Sequence, residues 1–219
     1  MIQALFPPFV VTAEAVPPWG PAALYPEEEA LVSTMVPARR SEFAAGRASA
    51  RAALKRLGVP PAPILADARR VPVWPSGVIG SITHCAGYCG CAVARSGAAM
   101  GLGVDVEVAA PLPDDIREAV STPRERQSAG LPPLLLFSAK ESVFKACFPL
   151  TRIELDFREV EIELGSEAGT FVALLPGRLA EALGGVWRLA GRYAVTSDFV
   201  ATGVVLARAH ATVEATTSS

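Results

Sequence analysis

Two short charged motifs, Gly103-Val104-Asp105-Val106-Glu107 and Phe137-Ser138-Ala139-Lys140-Glu141-Ser142-Val143-Phe144-Lys145-Ala146, carry the residues in this chain best suited to chemistry. The first reads as a β-branched strand. Its carboxylates at i and i+2 project from one face, with Cα atoms roughly 7 Å apart. The second reads as an apolar helix with Glu141 and Lys145 at i and i+4 on one side. Three carboxylates converging from a strand and a helix, with Lys140 and Lys145 beside them, suit a hard divalent cation that holds a phosphorylated ligand. Phosphate transfer is therefore the first hypothesis.

Each motif has an ordinary reading as well. A lone D-x-E is usually a solvated strand face, and Glu-Lys pairs at i,i+4 decorate many helices. Here Gly103, Val104 and Val106 make a buried-strand setting, where two carboxylates need a cation partner. Val143, Phe144, Ala146 and Phe148 crowd the helix, so Lys140, Glu141 and Lys145 are costly there unless they face a site. His84 is one of two histidines, in Gly80-Ser81-Ile82-Thr83-His84-Cys85-Ala86-Gly87-Tyr88. It follows a strand-like run and precedes a Gly turn, where side chains line clefts. The Ser81 and Thr83 hydroxyls beside it are candidates to bond phosphate oxygens.

The elements that must position these groups follow from patterning. Residues 27–35 form a short acidic-nosed helix. Residues 38–57 form the clearest helix, ended by Gly58 and Pro60-Pro61. Arg40, Arg47 and Arg51 make a stripe on it, in a stretch from Arg39 to Arg56 with six basic residues and one acid, Glu42. The near absence of acidic partners there favours a binding face over a merely solvated one. Residues 60–80, with seven Pro or Gly, read as loop. Strands are expected at 78–88 and 89–94 around a Gly87 turn, then at 101–106. A short helix at 114–120 leads into an irregular stretch to Leu131. The second major helix spans 135–148, stopped by Pro149. Strands at 160–164, 170–175, 187–195 and 199–206 follow, joined by Gly turns. The tail 210–219 reads as disordered.

The chain has 219 residues, about half of them apolar, which suffices for a real core. Twenty Lys and Arg against 22 Asp and Glu leave a net charge of −2, so neither nucleic acid nor an anionic membrane is an expected partner. No run reaches the roughly 18 apolar residues of a membrane span. Cys85, Cys89 and Cys91 crowd into one hairpin, with Cys147 apart, which favours reduced thiols and a cytoplasmic protein. A zinc site from His84, Cys85, Cys89 and Cys91 is disfavoured by the lack of a paired C-x2-C knuckle.

Taken together, S-I-T-H, G-V-D-V-E and F-S-A-K-E-S-V-F-K-A resemble the motifs of the Sfp-type 4′-phosphopantetheinyl transferases. Arg39-Arg40-x2-Phe43-x2-Gly46-Arg47-x3-Arg51 resembles the N-terminal motif of their enterobactin-synthase-like subgroup. The match covers residues 38–148. The resemblance implies an α/β (α+β) fold of two similar subdomains, residues 1–102 and 103–209. Each would pack a long helix on an antiparallel sheet, with a pseudo-twofold between them and coenzyme A in the cleft. It implies a monomer that moves the 4′-phosphopantetheine arm of coenzyme A onto a serine of an apo acyl or peptidyl carrier protein, releasing adenosine 3′,5′-bisphosphate. By the same analogy Asp105, Glu107 and Glu141 bind Mg2+, with Mn2+ an alternative. Glu141, Lys145 and His84 are catalytic. Arg39, Arg40, Arg47, Thr83, His84, Lys140 and Lys145 contact coenzyme A, with the arginines at its 3′-phosphate. Ala66 departs from the family in a place where relatives carry a basic residue, which leaves Arg69 or Arg70 as the substitute. Glu141, His84 and a metal-bound water all stand as candidate bases.

Two other readings compete. A non-catalytic coenzyme A or carrier-protein binder would not need Asp105, Glu107, Glu141 and Lys145 intact. An unrelated Mg2+-dependent nucleotide phosphotransferase would be expected to carry a Walker-type or Rossmann glycine loop, and none is present.

Overall fold

The computed structural model describes residues 1–19, 23–128 and 131–208. The tail expected to be disordered, 210–219, lies outside the described residues.

The first half builds a three-stranded antiparallel sheet, β1 (Val11–Ala15), β5 (Tyr88–Arg95) and β4 (Val78–Cys85), with β5 in the centre. Gly87, at φ 82°, makes the tight β4–β5 turn that only glycine adopts without strain. The long helix α2 (Pro37–Arg56) packs across this sheet. Its small residues Ala50 and Ala53 and its Leu54 bury against Ala13, Cys91 and Val93. A short helix α1 (Pro26–Val32) and a two-stranded ribbon, β2 (Leu65–Ala66) with β3 (Pro72–Val73), complete this half.

The second half is a five-stranded antiparallel sheet in the order β6 (Ala99–Val108), β10 (Phe199–Ala207), β9 (Arg188–Val195), β8 (Thr170–Leu174) and β7 (Glu161–Leu164). Helix α5 (Pro133–Thr151) covers one face, burying Leu136, Ala139, Val143 and Ala146 against Ile162, Phe171, Ala173 and Val204. The other face receives Ile2, Leu5 and Phe6 of an N-terminal 3-10 turn, packed on Leu102, Val104, Val106 and Ala201. Tyr88, Ala92 and Ala94 of β5 join the same cluster, so the first residues of the chain pack between the two sheets. Helices α3 (Asp114–Val120) and α4 (Pro123–Gln127) lie between β6 and α5, and α6 (Gly177–Ala182) between β8 and β9.

The expectation of two halves, each a long helix on an antiparallel sheet, holds, with unequal sheets. Two local expectations fail. Residues 123–127 and 177–182 are helical, because Thr122 caps α4 and α6 buries Leu179 and Ala180. Pro149 does not end α5. It removes one N–H, whose acceptor would be the Lys145 carbonyl, and the helix continues to Thr151 before Arg152 turns left-handed at φ 57°.

The two sheets meet where the edge strands β4 and β6 run side by side. No backbone ladder joins them. Instead the Val104 N–H donates to Ser81 Oγ at 3.1 Å and the Val106 N–H to Thr83 Oγ1 at 2.9 Å. The matched two-residue steps show that the strands run in the same direction. These amides are buried, so side-chain hydroxyls supply the partners that a neighbouring strand would otherwise provide. A second link lies at the far end of α5. Arg152 pairs with Asp67 at 2.6 Å and Arg69 with Glu154 at 2.8 Å, and both guanidinium groups lie near the Phe148 ring.

Gly101 and Gly103 stand on the face of β6 that meets α5. A Cβ at Gly101 would overlap the Ala146 carbonyl, and one at Gly103 the Ser142 carbonyl. The helix therefore sits closer to this strand than any side chain permits. Gly103→Ala is expected to cost at least about 3 kcal/mol in urea denaturation, because backbone must move. Gly97→Ala, where a Cβ meets nothing within 4 Å, is expected to stay within about 0.5 kcal/mol of the parent.

Candidate active site

Along β6 the residues facing α5 are Gly101, Gly103, Asp105 and Glu107, at successive i+2 positions. The helix runs in the opposite sense, with Ala146 beside Gly101 and Ser142 beside Gly103. Helical side chains lean toward the N-terminus, so Lys145 reaches back along the groove. Its Nζ donates to Asp105 Oδ1 at 2.7 Å and contacts the Val104 carbonyl at 3.4 Å. The close approach at the two glycines thus delivers Lys145 and Glu141 to the strand's carboxylates.

The electrostatics of this cluster are unbalanced. Asp105 is 2% exposed, and its Oδ2 is buried with no hydrogen-bond partner among the described residues. Burial first, then the neighbouring Asp105 and Glu141 charges, push Glu107 up to about 7, with Lys145 opposing. Burial raises Glu141 as well, joined by Asp105 and opposed by Lys145. Burial works to lower the Lys145 ammonium, but Asp105, Glu141 and Glu107 outweigh it and hold it above its ordinary value. Three carboxylates share one ammonium, and one buried oxygen has nothing to bond. Among the described residues no three His, Cys, Asp or Glu side chains already stand grouped tightly enough to hold an ion. The donor set is nonetheless all oxygen and net anionic, and the orphaned Oδ2 asks for a cation. These residues fit Mg2+ or Mn2+.

His84 stands at the end of β4 beside the cluster, where Arg39 of α2 meets its Nε2. Burial, then Arg39 and Lys145, lower its basicity, and because a guanidinium only donates, Nε2 is the acceptor in this contact. Arg39 also pairs with Glu42 at 3.2 Å. Arg47 lies on α2 with only 6% exposure, its guanidinium 4.2 Å from the Phe43 ring centroid. Its Nε has no hydrogen-bond partner among the described residues, and burial lowers its pKa. Two hollows border α5. One, of about 80 Å3, lies between the halves beside Lys145, Trp74 and Met100. The other, of about 140 Å3, lies beside Glu141, Phe144 and Leu155.

Three expectations need correction. Lys140 does not face the cluster. It is 3% exposed, and its Nζ donates to Glu125 Oε2 and the Val120 carbonyl, both at 2.7 Å. Glu125 also accepts from the Thr122 and Ile162 amides, so this buried pair anchors the α3–α4 segment to α5 and β7. Thr83 is 1% exposed, and its hydroxyl accepts from the Val106 N–H at 2.9 Å and donates to Asp105 Oδ1 at 3.4 Å rather than facing open space. The arginine stripe has acidic partners after all, supplied by α1. Arg40 pairs with Glu29 at 2.6 Å, and Arg51 with the fully buried Glu28 at 2.8 Å. The clue was the run Glu27-Glu28-Glu29 just ahead of the basic helix.

The N-terminal-domain model of the 4′-phosphopantetheinyl transferases matches residues 27–94, and the model of the 4′-phosphopantetheinyl transferase superfamily matches residues 101–198. The chain is 47% identical to the 4′-phosphopantetheinyl transferase Svp of Streptomyces mobaraensis, over 98% of this chain and 92% of that protein. It is 39% identical to the 4′-phosphopantetheinyl transferase PptT of Mycobacterium tuberculosis, over 83% of this chain and 85% of the relative. Enterobactin synthase component D of Salmonella typhi is 38% identical over 49% of this chain and 48% of its own length. The chain belongs to the 4′-phosphopantetheinyl transferases. It is a transferase. The boundary between the two matched models falls at the β5–β6 connection, where one sheet ends and the other begins.

The geometry of Lys140 generates a test. Breaking a buried ion pair leaves an uncompensated charge, so Lys140→Met is expected to cost about 3 kcal/mol in denaturant unfolding. Coenzyme A affinity, measured by calorimetry on the folded fraction, is expected to change less than about tenfold, ~1.4 kcal/mol. A large loss of affinity at unchanged stability would return Lys140 to the phosphates.

Proposed function

We propose that this transferase moves the 4′-phosphopantetheine arm of coenzyme A onto a serine hydroxyl of an apo acyl or peptidyl carrier protein, depends on Mg2+, and releases adenosine 3′,5′-bisphosphate. The observation that carries this reading is the Asp105 carboxylate, with Lys145 on Oδ1 and no partner for Oδ2 among the described residues, beside Glu107 and Glu141. Asp105, Glu107 and Glu141 would hold the ion. When bound, that ion supplies positive charge to the pyrophosphate and its leaving group.

The chain's own groups do the rest. Attack of the serine oxygen on the β-phosphorus makes one P–O bond as the bridging P–O bond to the bisphosphate breaks. Such a transfer needs alignment and charge neutralisation more than covalent help. Lys145 lies only partly exposed in the groove, so its ammonium acts with little solvent screening on the charge that grows on the leaving oxygens. Glu141, His84 and a metal-bound water all stand as acceptors for the serine proton. His84 and Arg39 form one edge of the nucleotide site, and the partnerless Arg47 suits the 3′-phosphate. Arg40 and Arg69 are engaged with Glu29 and Glu154, so they would have to change partners to reach coenzyme A. Free thiols and near-balanced charge accord with a cytoplasmic monomer whose partners are coenzyme A and carrier domains, not nucleic acid or membrane. No helix among the described residues is long and apolar enough to cross a membrane.

The direct test is intact-mass measurement of several apo carrier proteins incubated with the protein, coenzyme A and Mg2+. The expected outcome is a phosphopantetheine-sized gain that needs both coenzyme A and the ion. Asp105→Ala is expected to abolish the gain while the protein stays folded. Turnover within about tenfold of the parent, ~1.4 kcal/mol of barrier, would sink the metal assignment.

Lys145→Met keeps the aliphatic stem and removes the charge. Turnover is expected to fall about a hundredfold, ~2.7 kcal/mol, with coenzyme A affinity changed less, because the contact strengthens in the transition state. Lost coenzyme A binding with normal turnover at saturation would make Lys145 a ground-state binding residue instead.

A further inference from the structure

Thr83 and Ser81 occupy equivalent places on β4, two residues apart, and each accepts a hydrogen bond from a buried β6 amide. They differ in what lies next to them. Thr83 Oγ1 also donates to Asp105 Oδ1 at 3.4 Å, the oxygen that receives Lys145 Nζ at 2.7 Å. Two donors therefore approach one oxygen of the carboxylate, and the other, Oδ2, is left buried and without a partner among the described residues.

We propose that Thr83 is a positioning residue for metal binding: its hydroxyl, pinned by the Val106 N–H, sets the rotation of the Asp105 carboxylate and so presents Oδ2 to the divalent ion. The inference rests on the reading that Asp105, Glu107 and Glu141 hold that ion. A threonine is suited to this. Its β-branched side chain is stiff about χ1. With one lone pair committed to Val106, its single proton goes to the acceptor within reach. At 1% exposure no water competes for it. Oδ1 receives one donor from each half of the molecule, so the orientation of the carboxylate depends on the seam between the halves. Removing such a neighbour of a metal ligand typically costs 10- to 100-fold in metal affinity. The long hydrogen bond places Thr83 at the low end of that range.

The test uses the full chain and Mn2+ alone, with free ion followed by electron paramagnetic resonance and stability by urea denaturation. Thr83→Val, which keeps the shape and deletes the hydroxyl, is expected to raise the Mn2+ dissociation constant about tenfold. Thr83→Ser is expected to stay within about twofold, since the donor remains. Ser81→Ala loses the equivalent seam bond but touches no carboxylate. It is expected to lose stability with Mn2+ affinity unchanged. The inference is overturned if Thr83→Val binds Mn2+ as the parent does, or if Ser81→Ala weakens Mn2+ equally, which would make the effect one of the seam alone. Should Thr83→Val fail to fold, Thr83→Cys, with a weak donor of similar size, takes its place under the same criteria. If the parent itself binds no Mn2+, or Asp105→Asn leaves its binding unchanged, the metal reading fails as well. Those arms separate that failure from a failure of Thr83 alone.

Discussion

The close approach of α5 to β6 is the constraint on which the site depends. An ordinary helix packs on a sheet at a distance set by its side chains. Here two glycines at successive inward positions let the helix backbone settle against the strand. The gain is reach. Lys145 spans from one element to a carboxylate on the other without being fully extended into solvent, and Glu141 is carried to the same groove. The hydroxyl cluster of Ser138, Ser142 and Thr202, all fully buried, fixes the helix from its other flank against β10. Polar groups in a dry interface must be satisfied together or not at all, so this cluster resists sliding of the helix along the strand.

The second half thus holds the carboxylates and Lys145, and the first half brings Arg39 and His84 beside them from α2 and β4. Charges on α2 are sorted by depth. Arg40 and Arg51 are neutralised by α1, whereas Arg47 is buried over an aromatic ring with a donor unused. A buried guanidinium without an ion-pair partner is costly for folding alone. Its retention is intelligible if an anionic ligand completes it.

Much of this was legible in the sequence, and the failures have physical causes. Strands β4 to β6 and β7 to β10 stood out because alternation and β-branching agree locally, and the Gly87 turn marked the hairpin. The crowding of Asp105, Glu107 and Glu141 around Lys145 was legible because charges in apolar runs need a reason. Lys140 misled for the same reason: its cost is met by Glu125, a partner on the short helix α4 fifteen residues earlier that no local pattern reveals. Thr83 misled because a hydroxyl beside a histidine looks available until the neighbouring strand's amides are in place. The glycine pair at 101 and 103 was visible as residues, but its meaning, a helix pressed against the strand, is a tertiary fact. Helices α4 and α6 are too short for periodicity to declare them.

The seam between the halves has one more consequence. A backbone ladder is the same for every sequence, so a joint built from it is inherited whole. This joint is made by the hydroxyls of Ser81 and Thr83 and so is written in the gene one codon at a time. An exchange at Ser81 or Thr83 therefore changes how the two sheets abut without altering any backbone pairing within either of them.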